Sequence, residues 1–207
     1  MPRHRPWLRL SRRWVATAVV LGAVLAAAPV GAQQKPVPIT DATPALESGW
    51  ARVQPPRGSQ WYLLDRSGPN AVFGKYLGSP RHTMMATVVL RTLPGCCAGA
   101  DELLATTRKH MAEDRANARY RFVSQDAEVV EWNGMACVAS RIVAEDRGVP
   151  FAPGEAFNFF QRGLTCLSPA PPGAIVDVTY SERGGPPEGT PALVEEGEAF
   201  LKGITRK

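Results

Sequence analysis

The stretch YRFVSQDAEVVEWNGMACVASRIVAE, residues 120–145, decides the fold because it is typical of two long strands joined by a tight turn. Tyr120–Trp132 and Met135–Glu145 carry apolar and β-branched residues on both sides of Asn133-Gly134. Asn-Gly tolerates the positive φ angles that a two-residue hairpin turn requires. We therefore expect an antiparallel β-hairpin here.

Further strands flank this hairpin. Two runs follow it, Ala156–Leu167 and Ala174–Ser181, and each comes after a loop rich in proline and glycine. Four successive strands with short links form an antiparallel meander. Three more runs with strand-like composition precede the hairpin: Gln60–Asp65, Ala71–Leu77 and Thr83–Leu93.

Two segments have the apolar spacing of amphipathic helices. The first is Asp101–Arg115, with Asp101 as its expected N-cap. The second follows Thr190, a natural N-cap, and Pro191, which suits the first helical position. Gly197 within it indicates a close approach to the sheet, since glycine lowers helix propensity. The apolar stripe of this helix is Leu193, Gly197, Phe200, Leu201 and Ile204, and its expected outer face is Glu195, Glu196, Glu198 and Lys202.

The element order predicts an α+β fold: an antiparallel sheet of N-terminal strands plus the four-strand meander, with two amphipathic helices packed on it. This order, the Asn133-Gly134 turn and the terminal Phe200-Leu201-x-x-Ile204 spacing resemble Mog1/PsbP-like domains, including periplasmic PsbP-like and DcrB-like proteins. The likeness extends from about Trp50 to Ile204. It implies a binding or assembly module without catalytic activity, and it offers no motif from which a binding residue can be assigned.

The N-terminus has the three parts of a cleavable export signal. An arginine-rich start precedes the apolar run Val15–Ala28, and Val30-Gly31-Ala32 supplies the small residues of a cleavage site. We expect cleavage after Ala32 and a mature N-terminus at Gln33. A retained membrane anchor is the alternative, but a spanning helix needs about 20 apolar residues, more than this run contains. Ser11-Arg12-Arg13-Trp14-Val15 also resembles a twin-arginine signal, so the export route stays open.

Removal of residues 1–32 changes the charge of the chain. The full sequence has 24 Lys+Arg against 19 Asp+Glu, and five arginines lie in the signal, which leaves 19 basic residues. A neutral chain without a clustered basic face does not favour nucleic acid as a partner. The proline-rich residues 33–49 predict a flexible tether. Residues 50–207 predict a single domain of a periplasmic or secreted protein, with no stable membrane span.

Four cysteines belong to the mature chain, and an even number in an exported protein favours disulfides. The predicted meander can place Cys137 opposite Cys166, and a bond there would contribute roughly 3–4 kcal/mol through loop closure. The same register places Arg141 opposite Arg162, a like-charge pair that argues against it. A shift by one residue separates both pairs.

The other two cysteines, Cys96 and Cys97, are neighbours in the sequence. They can form a vicinal disulfide, bond to a distant cysteine, or bridge two molecules, and each of these clamps the loop before the first helix. The functional alternative is a redox or soft-metal centre, because thiolates at the start of a helix have a lowered pKa.

The remaining chemistry-bearing residues form no catalytic constellation. His110 has Glu113 and Asp114 at helical spacing, as a metal site requires, but such acids are common beside a histidine on a solvated helix. The sequence has no G-x-S-x-G elbow and no glycine-rich phosphate loop, so no cofactor is predicted. We expect five acidic residues to form a solvated face: Glu182, Glu188, Glu195, Glu196 and Glu198.

These observations predict an exported, non-catalytic module that binds an envelope protein or a small ligand on the exposed face of its sheet. The rival hypothesis is a redox-active or metal-binding protein that uses Cys96-Cys97. Aromatic residues of the meander can line a ligand groove, although aromatics on strands more often pack in a core: Tyr120, Phe122, Trp132, Phe157, Phe159 and Phe160.

Overall fold

The predicted hairpin is present in the computed structural model, which describes residues 35–169 and 173–207. Its strands are β7 (Tyr120–Trp132) and β8 (Met135–Asp146). Asn133 and Gly134 at the turn have φ angles of 50° and 71°. The hairpin prediction is therefore confirmed.

An eight-stranded antiparallel sheet contains this hairpin. β9 (Phe157–Leu167) and β10 (Ala174–Arg183) continue the meander. β10 then pairs with β6 (His82–Thr92), and this pairing joins the meander to the N-terminal strands. Those strands are β1 (Val37–Pro38), β4 (Trp61–Ser67) and β5 (Asn70–Ser79). The strand order is β1-β4-β5-β6-β10-β9-β8-β7.

The predicted fold class is wrong as stated, because the strands form two sheets. β3 (Ala51–Val53) pairs with β2 (Leu46–Ser48) on one side and with β11 (Ile204–Arg206) on the other. Strands of 3 residues are too short for an alternating pattern to predict. Strands account for 50% of the structure and helices for 16%, so the molecule is mostly antiparallel sheet while remaining consistent with α+β.

The two helices, α1 (Ala100–Asp114) and α2 (Pro191–Lys202), pack on opposite faces of the eight-stranded sheet. Phe200 of α2 shares a core with Val178, whereas Leu103 of α1 packs with Ile175. Positions 175 and 178 of β10 point to opposite faces because side chains alternate along a strand. The three-stranded sheet covers the same face as α2, through Leu46, Ala51, Val53 and Ile204.

The contact between α2 and β10 is close. The predicted N-cap Thr190 and first-turn Pro191 are confirmed. A Cβ added at Gly197 would clash with the ring of Tyr180, so the predicted close approach is also confirmed. Phe200 packs edge-on against Phe73 of β5, with the ring centroids 6.2 Å apart.

Two predicted helix boundaries are corrected. Ile204, expected on the helical stripe, belongs to β11, because α2 ends at Lys202. The N-cap of α1 is Gly99 and not Asp101. No side-chain hydrogen bond of the described residues caps this helix; the carboxylate of Glu102 instead accepts a hydrogen bond of 2.7 Å from the N–H of Ala98 in the preceding loop.

Part of the stretch expected to be a tether, residues 33–49, is packed. β1 pairs with β4, and β2 places Leu46, which is 6% exposed, in the core. The packed chain therefore starts before Trp50. The export signal, residues 1–32, and its cleavage point after Ala32 lie outside the described residues.

The predicted solvated acidic face is wrong for Glu196 and Glu198. Glu196 accepts hydrogen bonds from Lys75 Nζ at 2.6 Å and from Trp61 Nε1 at 2.9 Å. The side chain of Lys75 is only 6% exposed. Glu198 accepts a hydrogen bond from the Tyr180 hydroxyl at 2.8 Å. Helical spacing placed both acids outside the apolar stripe, and strands β4, β5 and β10 supply the donors that sequence spacing does not show.

Glu182 is a third correction, because it is buried and holds the start of α2. Its carboxylate accepts hydrogen bonds of 2.6 Å from the N–H and from the hydroxyl of Thr190. It also lies 2.6 Å from Nε2 of His82. His82 thus links β6 to β10.

We predict that two substitutions on α2 destabilise the protein for different reasons. Phe200→Ala should cost about 3–5 kcal/mol through lost burial and the cavity left behind. Glu196→Ala should cost about 3 kcal/mol because it leaves the buried Lys75 without its counter-charge. Urea unfolding measures both, and the matched control Glu195→Ala, at an exposed position, should stay within about 0.5 kcal/mol of the wild type. Equal small effects for all three variants would show that α2 is not docked.

A second cluster of ion pairs lies at the end of β8. Asp146 is 1% exposed and accepts two hydrogen bonds from Arg119, at 2.8 and 2.9 Å. Burial raises the pKa of Asp146, but hydrogen bonds from Arg119 and from the Gly148 N–H outweigh it and the net pKa is lowered. Hydrogen bonds from Arg121 and Arg147 lower the pKa of Glu145 to about 2.

These lowered pKa values predict acid sensitivity. A carboxylate with a depressed pKa in the folded state stabilises the protein above its unfolded pKa, and this contribution is lost as the pH falls through the folded pKa. The free energy of unfolding should therefore decrease from about pH 4.5 to about pH 2. In urea titrations at several pH values, Asp146→Asn should show a shallower decrease than the wild type, and parallel profiles would contradict this assignment.

Candidate functional site

A cavity of about 720 Å³ lies at the β7 end of the eight-stranded sheet. Strands β7, β8 and β9 contribute its floor and one wall, and residues of both helices line it as well. The lining includes Arg108, Met111 and Ala112 of α1, Arg115 at its C-cap, and Glu198 and Leu201 of α2.

Strand register divides the cavity lining between the two faces of the sheet. Asp126, Arg141 and Arg162 lie in one cross-strand row. Leu164 is two residues from Arg162 on β9 and belongs to the core beneath α2, so this row faces α2. The neighbouring positions along each strand face α1. They contribute the side chains of Gln125, Ala127 and Ser140 and the Cα of Gly163. The cavity therefore borders both faces of the sheet at its β7 edge.

On the α2 side, the cavity has an apolar floor and an unpaired donor. Ala139 and Leu164 are cross-strand neighbours there, and Trp132 and Leu201 line the same space. The indole Nε1 of Trp132 is buried and has no hydrogen-bond partner within residues 35–169 and 173–207. Buried N–H groups are nearly always paired, so this unpaired donor is an exception.

On the α1 side, polar groups dominate. Arg115 Nε donates a hydrogen bond of 2.6 Å to Gln125 Oε1, and Arg108 donates one of 3.0 Å to the carbonyl oxygen of Ala127. Nε2 of Gln125 is a second buried donor without a partner in the described chain. Neither arginine forms an ion pair with a carboxylate of the described residues.

The structure has the register that sets Arg141 opposite Arg162. Each arginine has its own counter-charge, which offsets the repulsion that the sequence indicated. Arg141 pairs with Glu188 and lies over the ring of Phe160, 5.6 Å from its centroid. Arg162 pairs with Glu198 at 2.6 Å. The like-charge pair is thus retained at the rim of the cavity.

Tyr180 completes this polar row. Burial, together with the hydrogen bond to Glu198, raises the pKa of the Tyr180 hydroxyl. The phenol therefore stays protonated and donates a hydrogen bond to Glu198. The same carboxylate forms an ion pair with Arg162. One carboxylate serves two donors at this corner of the cavity.

The cysteines lie apart from the cavity lining. Cys137 and Cys166 occupy opposite ladder positions, with their sulfurs 2.04 Å apart, and both are fully buried. Cys96 and Cys97 are paired with each other in the loop before α1. Cys97 is buried against Leu103, so this disulfide is packed under the start of the helix.

The candidate metal ligands of the sequence were His110, Glu113 and Asp114. In the described ranges, no group of three or more His, Cys, Asp or Glu side chains has an arrangement that could hold a metal ion. His110, Glu113 and Asp114 therefore do not form such a group. Neither helix in the part of the chain described here is long and apolar enough to cross a membrane.

The sequence predicts one residue of this cavity, Trp132, as a possible groove residue. The other lining residues belong to no motif. Two signals in the sequence point to them: the opposed arginines of the predicted register, and Arg108 and Arg115, which are seven residues apart and lie on one face of α1 and its C-cap.

Comparison with known proteins adds little to this geometry. No protein-family model matches the sequence, and no curated protein matches it. Among solved structures, the chain is similar to LpqN of Mycobacterium tuberculosis, described as involved in cell envelope biogenesis, with 15% identity and a TM-score of 0.47 over 83% of this chain and 90% of that one. At this identity and TM-score the likeness carries no argument. The resemblance to Mog1/PsbP-like domains stays a prediction.

Proposed function

We propose that this protein is an exported, non-catalytic binding module that holds a small ligand in the cavity at the β7 edge. The observation that carries the proposal is one cavity with an apolar floor and two buried donors, Trp132 Nε1 and Gln125 Nε2, that lack partners among the described residues. Ligand sites are typically concave, measure about 300–1,000 Å³, and combine apolar surface with a few directed polar groups. The volume of about 720 Å³ fits that range.

Two further observations support the proposal. The N-terminal pattern of residues 1–32 is typical of an export signal, and two disulfides suit an oxidising compartment. The resemblance to Mog1/PsbP-like domains implies a binding or assembly role without catalysis. The ligand position proposed here, beside the helices, replaces the open sheet face that the sequence suggested.

We predict that the uncharged, environment-sensitive dye Nile red binds in this cavity and that filling the cavity prevents it. Ala139 is partly buried on the floor, so Ala139→Phe should occupy the space and reduce dye affinity by about tenfold or more, as expected from blocking a site that excludes water. Fluorescence titration measures the affinity.

The matched control is Ala136→Phe on the same strand, at an exposed position outside the cavity lining. It should bind the dye like the wild type. Equal dye affinity in the wild type and both variants would contradict the proposed site, provided that circular dichroism shows all three proteins folded.

The compartment is tested on the protein recovered from cells. It should be found in the periplasmic or secreted fraction, begin at or within a few residues of Gln33, and show no alkylatable thiol before reduction, as intact mass spectrometry can determine. Full-length chain in the membrane pellet would contradict export. Two reactive thiols at Cys96 and Cys97 would favour the redox hypothesis instead.

A further inference from the structure

We propose that the ligand of this cavity is a single-chain amphipathic anion, with its oxyanion beside Arg141 and Arg162 and its apolar chain along Leu164, Leu201 and Trp132. This inference rests on the proposed function, because it names the ligand class of the same site. Three features of the cavity support it: the arginines of its lining, the ease with which their ion pairs exchange, and the position of its apolar surface.

The arginines of the lining lie on both sides of the cavity. On the α1 side, Arg108 and Arg115 donate only to neutral oxygens of Ala127 and Gln125. On the α2 side, Arg141 and Arg162 lie with three carboxylates, those of Asp126, Glu128 and Glu198. Anion binding on the α2 side therefore depends on direct hydrogen bonds from Arg141 and Arg162 and not on a net positive charge of the lining.

The opposed arginines form the anion subsite. Directly paired residues of neighbouring strands have their Cβ atoms about 4.5–5.5 Å apart, so the two side chains start close together. Arg141 is neutralised by Glu188, whose side chain is 73% exposed. Exposed ion pairs contribute about 0–1 kcal/mol, so an incoming oxyanion displaces Glu188 at little cost.

Arg162 also has capacity for another acceptor. Its partner Glu198 already accepts the hydrogen bond of Tyr180, so a single carboxylate is shared by two donors. A guanidinium has five N–H donors in a fixed fork. An oxyanion between Arg141 and Arg162 would receive charge-assisted hydrogen bonds from both and would relieve their mutual repulsion.

The apolar surface lies at the other end of the cavity. Asp126 marks the arginine row on β7, and Trp132 lies six residues further along the same strand and on the same face. At about 3.3 Å per residue, the two positions are about 20 Å apart. Ala139 and Leu164 lie between them. A charged group at one end and an apolar chain toward the other fit this division.

The test compares ligands that share a tail or a head. Isothermal titration calorimetry, below micelle-forming concentrations, should show laurate binding at least about tenfold more tightly than dodecyltrimethylammonium, which has the same chain and the opposite charge. Acetate should show no binding, since it lacks the chain. Dodecyl phosphate distinguishes a fatty-acid head from a phosphate head, and tighter binding of either anion than of the cation supports the inference.

Variants locate the anion. Arg162→Gln should weaken laurate binding by about tenfold, the loss expected for one charge-assisted contact, and Arg162→Lys, which keeps the charge, should restore part of it. The matched control is Arg121→Gln, an ion-paired arginine of β7 outside the cavity lining, which should bind laurate like the wild type. If Arg162→Gln fails to fold, the wild type still decides: added salt should weaken laurate binding and leave Nile red binding unchanged.

Each contrary result has a defined meaning. Equal affinity for laurate and the cationic analogue would overturn the anion class, while Nile red binding blocked by Ala139→Phe would leave the proposed function intact. Loss of laurate binding in Arg115→Gln but not in Arg162→Gln would place the anion beside α1 and overturn the assigned subsite. Absence of binding for laurate and Nile red alike would overturn both proposals.

Discussion

The pairing of β10 with β6 is the constraint on which the rest of this structure depends. Ten consecutive residues of β10, from Ala174 to Arg183, pair with Thr92 to Thr83 of β6. This ladder joins the N-terminal strands β1, β4, β5 and β6 to the meander of β7 to β10. It also places β10 in the middle of the sheet, where α2 packs on one face through Gly197 and Tyr180.

Polar anchors around α2 follow from that packing. Glu182 of β10 accepts hydrogen bonds from Thr190 at the start of the helix. Glu196 accepts a hydrogen bond from the buried Lys75 of β5. A buried charge without a partner costs several kcal/mol, so these pairs restrict where the helix can lie. The helix is thus positioned by apolar burial and oriented by two carboxylates, that of Glu182 on β10 and that of Glu196, which helical periodicity assigns to solvent.

The cavity lies where β9, β8 and β7 continue the sheet beyond β10, the strand on which α2 packs. Ala139 and Leu201 contribute to its apolar floor. The rim keeps Arg141 opposite Arg162 because the register that brings Cys137 to Cys166 demands it. Their repulsion is offset by carboxylates that come from other elements, Glu188 and Glu198. The structure therefore keeps the like-charge pair that argued against the register from sequence, with each arginine paired to its own carboxylate.

The sequence by itself determined the strands and helices whose signals are local. Asn133-Gly134 predicts the hairpin through the φ angles that it tolerates, and the Thr190-Pro191 start and apolar stripe of α2 are equally local. Only the tertiary structure decided the second sheet, because strands of 3 residues such as Ala51–Val53 carry no period, and it alone paired Glu196 with Lys75, residues 121 positions apart. The candidate site belongs to this second class: its arginines, apolar floor and unpaired donors come from five elements, and no spacing within one element shows that they meet.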